Sequence, residues 1–365
     1  MNWGDFMSEV LNNLGYDLKA QERILNSHAV NRYSLHTLEK LVVNTFNYFK
    51  GCGYSGDEII SMTTFLPSLF NYTNETLDER FKLFKKLGFS SNELLKMTLI
   101  LPQLLTISDD YILEKYKLFE GFGYSSKNIH DMTVLVPSIF SNSKDSLINK
   151  RRFFIDLGFK DSEINKMTKK IPSIYSHSVS ALLENYNYFL SKGYDKDRIF
   201  KMILSKPDII VMNISTLDSK RGCLINLGYS EDEINHITSI NPAIYTLNVQ
   251  NIMNKFNYFL NRGYSKDEAI FITVKLPVVY SYSIDSLNEK FSILSGVGLD
   301  KEVLNRPSYL MQSVELTFAR MNFLKDKKVV FDHKAFNSLV MSSIDFKKKF
   351  GIDNEEVRER YPYKK

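Results

Sequence analysis

Residues 87–105 read Leu87-Gly88-Phe89-Ser90-Ser91-Asn92-Glu93-Leu94-Leu95-Lys96-Met97-Thr98-Leu99-Ile100-Leu101-Pro102-Gln103-Leu104-Leu105. Glycine takes the left-handed conformation that closes a helix without steric penalty, so a helix ends at Gly88 and a tight turn follows. Ser90 and Glu93 stand at capping-box spacing, where hydroxyl and carboxylate each satisfy a free amide at the start of a second helix. That helix carries Leu94 and Met97 inward and stops before Pro102, because the residue preceding a proline is pushed out of helical geometry. The pair Leu104-Leu105 then fits one turn of 3-10 helix.

The same punctuation returns along the chain. Glycines stand 35 residues apart at Gly53, Gly88, Gly123, Gly158, Gly193, Gly228, Gly263 and Gly298. Pro67, Pro102, Pro137, Pro172, Pro207, Pro242 and Pro277 keep the same interval and account for seven of the nine prolines, which excludes coincidence. Thr73, Ser108, Ser143, Ser178, Asn213, Asn248 and Ser283 are N-cap types at the start of each first helix. Leu77, Phe81 and Phe84 recur as Ile112, Tyr116, Phe119 and as Ile252, Phe256, Phe259, the spacing of an apolar helix face. The capping pair recurs at Ser55/Glu58, Ser230/Glu233 and Ser265/Glu268, and Met62, Met97, Met132, Met167 and Met202 form a column of core filling.

Neither helix buries its stripe alone, so the units must stack: the expected fold is all-α, an α-solenoid superhelix of about eight 35-residue helix-turn-helix repeats, each with a short 3-10 turn. Residues 1–35, with Leu14-Gly15-Tyr16-Asp17 displaced 38 residues from Gly53, are expected to form a degenerate N-terminal capping repeat. Residues 36–324 are the repeats, and 325–365 a lysine-rich C-terminal helical cap. Pro307 comes five residues early, and Leu316 to Leu324 reads as one more first helix.

Composition narrows the function. Hydrophobic residues at 44% and charged residues at 24% belong to a folded chain, not a disordered one. No run of eighteen apolar residues and no basic leader is visible, so neither membrane nor targeting segment is expected. Cys52 and Cys223 form no Cys-x-x-Cys pair, and the six histidines lack ligand spacing, so no metal is expected. No phosphate loop, nucleophile elbow or carboxylate pair interrupts the repeats; neither catalysis, cofactor nor small-molecule substrate is expected.

One column is basic in nearly every unit: Arg80, Lys115, Lys150, Lys220, Lys255 and Lys290, with Arg320 in the last half-unit and Asn185 as the exception. Cations one repeat apart, roughly 8–10 Å if neighbouring helices pack normally, would form a ladder for phosphates. The alternative is that their stems cover the apolar stripe and their charges pair with Glu79, Glu114 or Glu289. A second, irregular set comprises Lys96, Lys166, Lys201 and His236 in one second-helix column, and Lys169, Lys170, Lys206 and Lys275 just before their prolines. Asn165, Asn235 and Asn241 are of a type that could read bases, without shared register.

The stretch 87–105, together with the pattern Ser-x-x-x-Leu-x-x-Lys-x-x-Phe as it stands at 143–153, resembles the mitochondrial transcription termination factor (mTERF) family over roughly residues 36–324. Pentatricopeptide repeats share the length but place glycine and proline differently. The resemblance implies a half-ring of paired helices with a basic inner path for double-stranded DNA or, in some members, structured RNA. The expected function is therefore duplex DNA binding through a basic stripe on the concave face, affecting transcription. RNA binding on ribosomal or messenger RNA is one alternative. A protein-binding scaffold is another, since residues 36–324 carry only +2 of the net +5. A one-repeat-one-base reader is the last, resembling transcription-activator-like effectors with x-Pro in place of their Gly-Gly loop. A monomer in the cytoplasm, associated with a bacterial nucleoid, is expected; export to a host cell is the alternative address.

Overall fold

The repeat glycines from Gly53 to Gly298 all take the left-handed conformation, with φ between 71° and 102°, and the residue before each repeat proline leaves the helix at φ near −130° (Leu66 −130°, Leu101 −138°). These two constraints divide the chain. The computed structural model describes residues 3–30 and 32–363; Met1, Asn2, Asn31, Lys364 and Lys365, which belong to the expected terminal segments 1–35 and 325–365, lie outside the described residues. Among the described residues every regular element is an α or 3-10 helix, and the architecture is an α-solenoid of helical repeats.

Contacts divide the chain into Met1–Leu182 and Leu183–Lys365. The first unit opens with helices Trp3–Asn13 and Leu18–Leu25. Its first helices are Leu35–Gly51, Asn74–Lys86, Asp109–Gly121 and Lys144–Asp156; its second helices are Gly56–Phe65, Ser91–Ile100, Ser126–Leu135 and Asp161–Lys170. A 3-10 turn beginning at proline follows each second helix, as in Pro102–Leu105 and Pro172–Ser176. The second unit repeats the pattern with second helices Lys196–Ser205, Glu231–Ile240 and Lys266–Lys275. After Ile284–Ser295 the second helix shrinks to the 3-10 turn Asp300–Val303, which is why Pro307 comes early. Val314–Asp326, His333–Val340, Ser343–Phe350 and Asn354–Arg360 follow. Within each unit the second helices pack side by side in chain order.

The expected caps and core are present with one exception. Thr73, Ser108, Ser143, Ser178, Asn248 and Ser283 each accept a first-turn amide, whereas the Asn213 side chain makes no such bond. All four capping boxes close. Leu77, Phe84, Leu94, Met97 and Leu104 are buried, as are the other four methionines of their column; each such side chain contributes about 1.5–3 kcal/mol relative to exposure.

In five places a tyrosine after the glycine ties one repeat to the next. The hydroxyls of Tyr16, Tyr54, Tyr124, Tyr194 and Tyr229 meet Thr63, Thr98, Thr168, Thr238 and Thr273, at 2.7 Å for the first and 2.5 Å for the next three. Each threonine already donates to the carbonyl four residues back, as Thr98 does to Leu94 at 2.8 Å, so the tyrosine donates to the threonine. Tyr175, Tyr245 and Tyr280 add a second phenol beside Tyr124, Tyr194 and Tyr229 at 3.0, 2.9 and 2.8 Å.

The basic column does not form a ladder for phosphates. Arg80, Lys115, Lys150, Lys290 and Arg320 are buried and Lys220 and Lys255 half-buried. The column lies three residues after the buried first-helix leucine, hence on the inward face. From there the Lys150 ammonium donates to the Tyr175 carbonyl at 2.5 Å and to Asn142 Oδ1 at 3.0 Å. Lys255 reaches the Tyr280 carbonyl at 2.6 Å, and Lys290 reaches the Gln312 carbonyl. Arg320 donates to the Leu339 and Met341 carbonyls at 2.8 and 2.7 Å. Asn185, the exception in charge, does the same job: its amide donates to the Ile210 carbonyl at 2.8 Å. The 3-10 turn presents unpaired carbonyls at its end, and a long donor from the first helix satisfies them. Arg80 instead meets Asp109, and Lys115 lies 3.7 Å over the Tyr111 ring and 3.8 Å from Glu114.

Two outcomes follow. Lys150→Met removes the donor from a buried carbonyl, so denaturant titration should show a loss of about 1–3 kcal/mol, while nucleic-acid affinity stays unchanged. The second concerns alkaline stability. Burial pushes the Tyr16 phenol up to about 12. Below pH 10 both folded and unfolded chains keep that proton; between 10 and 12 the unfolded chain releases it and the folded chain does not, so stability falls as pH rises. Burial lowers Lys150, Lys255 and Lys290 and acts in the opposite sense, but only below the ordinary lysine value of 10.5. Above it the stability of Tyr16→Phe, followed by circular dichroism, should decline less steeply than that of the parent chain.

Candidate nucleic-acid interface

With Arg80, Lys115, Lys150, Lys220, Lys255, Lys290 and Arg320 committed to the interior or half-buried, the remaining candidate cations are those of the second helices and their C-terminal ends. Lys96, Lys166, Lys201 and His236 are all exposed at one repeat position, and so are Lys169, Lys170 and Lys275 near the helix ends. Lys206 is half-buried and pairs with Asp208 at 3.1 Å.

Charge is sorted along the second helices taken together. The six residues before each repeat proline, from Ser61–Leu66 to Phe271–Leu276, hold seven lysines and the single acid Asp131. The six before those, from Ser55–Ile60 to Ser265–Ile270, hold twelve acids against five bases. The helix dipole favours this polarity, at roughly 0.3–1 kcal/mol per charge. Because the second helices stand side by side, the polarity gives each unit a basic edge where their C-terminal ends meet solvent. Asp131 is neutralised by Lys127 at 2.7 Å and lies 3.2 Å from His130.

The asparagines do not face a ligand. Asn165 donates to the Phe122 carbonyl at 2.8 Å and Asn235 to the Lys192 carbonyl at 2.7 Å, while Asn241 holds the Pro277 carbonyl at 3.0 Å and Ser281 at 2.9 Å. The first two support arginines that the helical reading of the stripe passes over. Arg151 and Arg221 stand where neighbouring repeats have Tyr116 and Phe256, and both are buried. Arg151 donates to Asn165 at 2.9 Å and through Nε to Asp161 at 2.9 Å. Arg221 donates to Asn235 at 2.9 Å, to Tyr194 at 3.1 Å and to Tyr245 at 3.2 Å, and pairs with Glu231. A signal was available, since each arginine is followed 14 residues later by an asparagine where other repeats have Leu95, Phe200 or Ile270.

In the C-terminal segment, Lys347, Lys348 and Lys349 lie in the last turn of Ser343–Phe350; Lys347 pairs with Asp353 at 3.4 Å and Lys349 donates to Ser338 at 2.9 Å. Exposed ammonium groups at helix ends can hold phosphates without chemistry of their own. Among the described residues no helix is long and apolar enough to cross a membrane.

No curated protein matches the chain. The family model mTERF matches residues 5–155 and 185–347. The two matched stretches take in most of the repeats whose glycine, capping box and proline are described above, and on that basis the chain belongs to the mTERF family of nucleic-acid-binding helical-repeat proteins.

Proposed function

We propose that the protein binds double-stranded DNA through the basic C-terminal ends of its second helices, thereby affects transcription, and catalyses nothing itself. The observation that carries this reading is the sorting of charge: lysines gather where the second helices end, and acids gather at the capped starts. In the first unit the contacts fall to Lys96, Lys166, Lys169 and Lys170; in the second, to Lys201, Lys206 and Lys275. Lysine contacts to phosphate carry no sequence information, so affinity exceeds specificity. Duplex DNA is preferred to single-stranded RNA because readers of unpaired bases offer exposed aromatic platforms. The six-residue ends of the second helices carry only two aromatics, Phe65 and Phe271.

If all seven lysines each meet one phosphate, a plot of log affinity against log salt for duplex DNA should slope at about −6. Replacing Lys166, Lys169 and Lys170 together by glutamate should weaken binding at least tenfold and flatten the slope by about 3 units. Gel-shift titration at several salt concentrations, with duplex DNA, structured RNA and single-stranded RNA, reads both quantities. An unchanged slope in the triple variant would sink the assignment of the interface, and tighter binding of either RNA would move the protein to that ligand.

A further inference from the structure

The ends of the second helices are not uniformly basic, and the first three full repeats differ from the rest. Their last second-helix residues are Phe65, Ile100 and Leu135, which stay 50%, 64% and 66% exposed. The same position is Lys170 in the fourth repeat and Ser205, Ile240 and Lys275 in the second unit, so three successive exposed apolar residues occur in the first unit alone. Gly56–Phe65, Ser91–Ile100 and Ser126–Leu135 pack side by side, which sets the three side chains in a row. The half-buried Thr64, Leu99 and Val134 precede them, and Leu66, Leu101 and Val136, also half-buried, follow.

Nothing in the stacking of repeats calls for this row, since the core contacts are made by the buried Ile59, Met62, Leu94, Met97, Ile129 and Met132. Water-exposed leucine, isoleucine and phenylalanine at consecutive repeats are the mark of a surface that a partner covers. Two of the three, Ile100 and Leu135, are aliphatic and neither pair with phosphates nor stack on bases as aromatics do, so the row does not suit nucleic acid.

Charge selects the partner. At one end of the row the Arg23 guanidinium stands 5.9 Å from the Phe65 ring centre, beside a cavity of about 820 Å³ between Leu18–Leu25 and Gly56–Phe65 whose lining mixes Lys19 and Arg23 with Asp17, Glu22 and Asp57. The shielded hydroxyl of Thr64, which has no hydrogen-bond partner, also lines that cavity. At the other end lie the exposed Lys166, Lys169 and Lys170, and Lys96 sits one helical turn before Ile100. The one acid among these helix ends, Asp131, is already paired. We infer that Phe65, Ile100 and Leu135 form a docking row for an amphipathic helix of a partner protein, with apolar residues on one face and glutamates or aspartates at the end that meets Lys166, Lys169 and Lys170. Stacked helices 8–10 Å apart match residues seven apart on a docked helix, which rise about 10.5 Å.

The test uses the full chain and a fluorescein-labelled synthetic helix with leucine at every seventh position and one glutamate-rich terminus. The control is a scrambled peptide of the same composition. Fluorescence anisotropy should show the patterned peptide binding at least tenfold tighter than the scrambled one. The triple variant Phe65→Ser, Ile100→Ser, Leu135→Ser should lose that preference while keeping its circular dichroism and its duplex-DNA gel shift. Lys166, Lys169 and Lys170 changed to glutamate should weaken both ligands. Equal binding of the two peptides, or a serine variant that still prefers the patterned one, overturns the inference. Row-dependent binding to anionic phospholipid vesicles in place of the peptide overturns it in favour of a lipid surface. Because the DNA readout is separate, the proposed function stands or falls independently.

Discussion

A helix that runs into a proline leaves carbonyl oxygens without donors, and in this protein the satisfaction of those carbonyls decides where almost everything else goes. The break at Leu101-Pro102 and its equivalents turns the chain into a 3-10 segment whose final carbonyls would be buried between first helices. A long side chain from the first helix supplies the missing N–H. Lysine does this in three repeats and asparagine in one, and the shared element is a donor of the right reach, not a positive charge. An unmet buried carbonyl costs about 1–3 kcal/mol, which the bonded donor avoids.

That constraint explains how much of the structure was legible in the residues. The glycine-to-proline spacing, the capping serines and the Leu-x-x-Met faces each impose a local geometry that few side chains satisfy, and they appear where the periodicity places them. The fate of the basic column was also written in the sequence, but in its phase and not in its charge. Arg80 follows Leu77 by three and precedes Phe84 by four, which puts it on the buried stripe. A column read as cations looks like a phosphate ladder; read as helical positions, it is core. The buried arginines at 151 and 221 were hidden for a related reason, because their partners Asn165 and Asn235 lie on a different helix and become meaningful only as pairs. The expected Asn213 cap failed where residue type alone had suggested it.

Once the interior has claimed one donor per repeat, the second helix is the element left free to vary, and its two ends are free to different degrees. The start is held by capping boxes and by acids that answer the helix dipole, and Ser-x-x-Glu recurs in four of the seven repeats. The end has no such duty beyond its inward methionine or isoleucine and its threonine. Lysine, leucine, isoleucine, serine and phenylalanine all occur there without disturbing the stack.

Variation in a repeat protein therefore has a physical meaning that a single domain does not offer: the repeats serve as controls for one another. Where seven copies must solve the same packing problem, a position filled the same way reports the solution, and a position filled differently reports something outside the fold. The tyrosine–threonine pairs belong to the first kind, joining one repeat to the next with the same hydrogen bond five times over. The last residue of the second helix belongs to the second. Its change from Phe65, Ile100 and Leu135 to Lys170 cannot be a requirement of stacking, because the same backbone carries both. Such a change divides one continuous edge of the first unit into a part that water disfavours and a part that anions favour, and a surface divided in that way is suited to holding two different ligands at once.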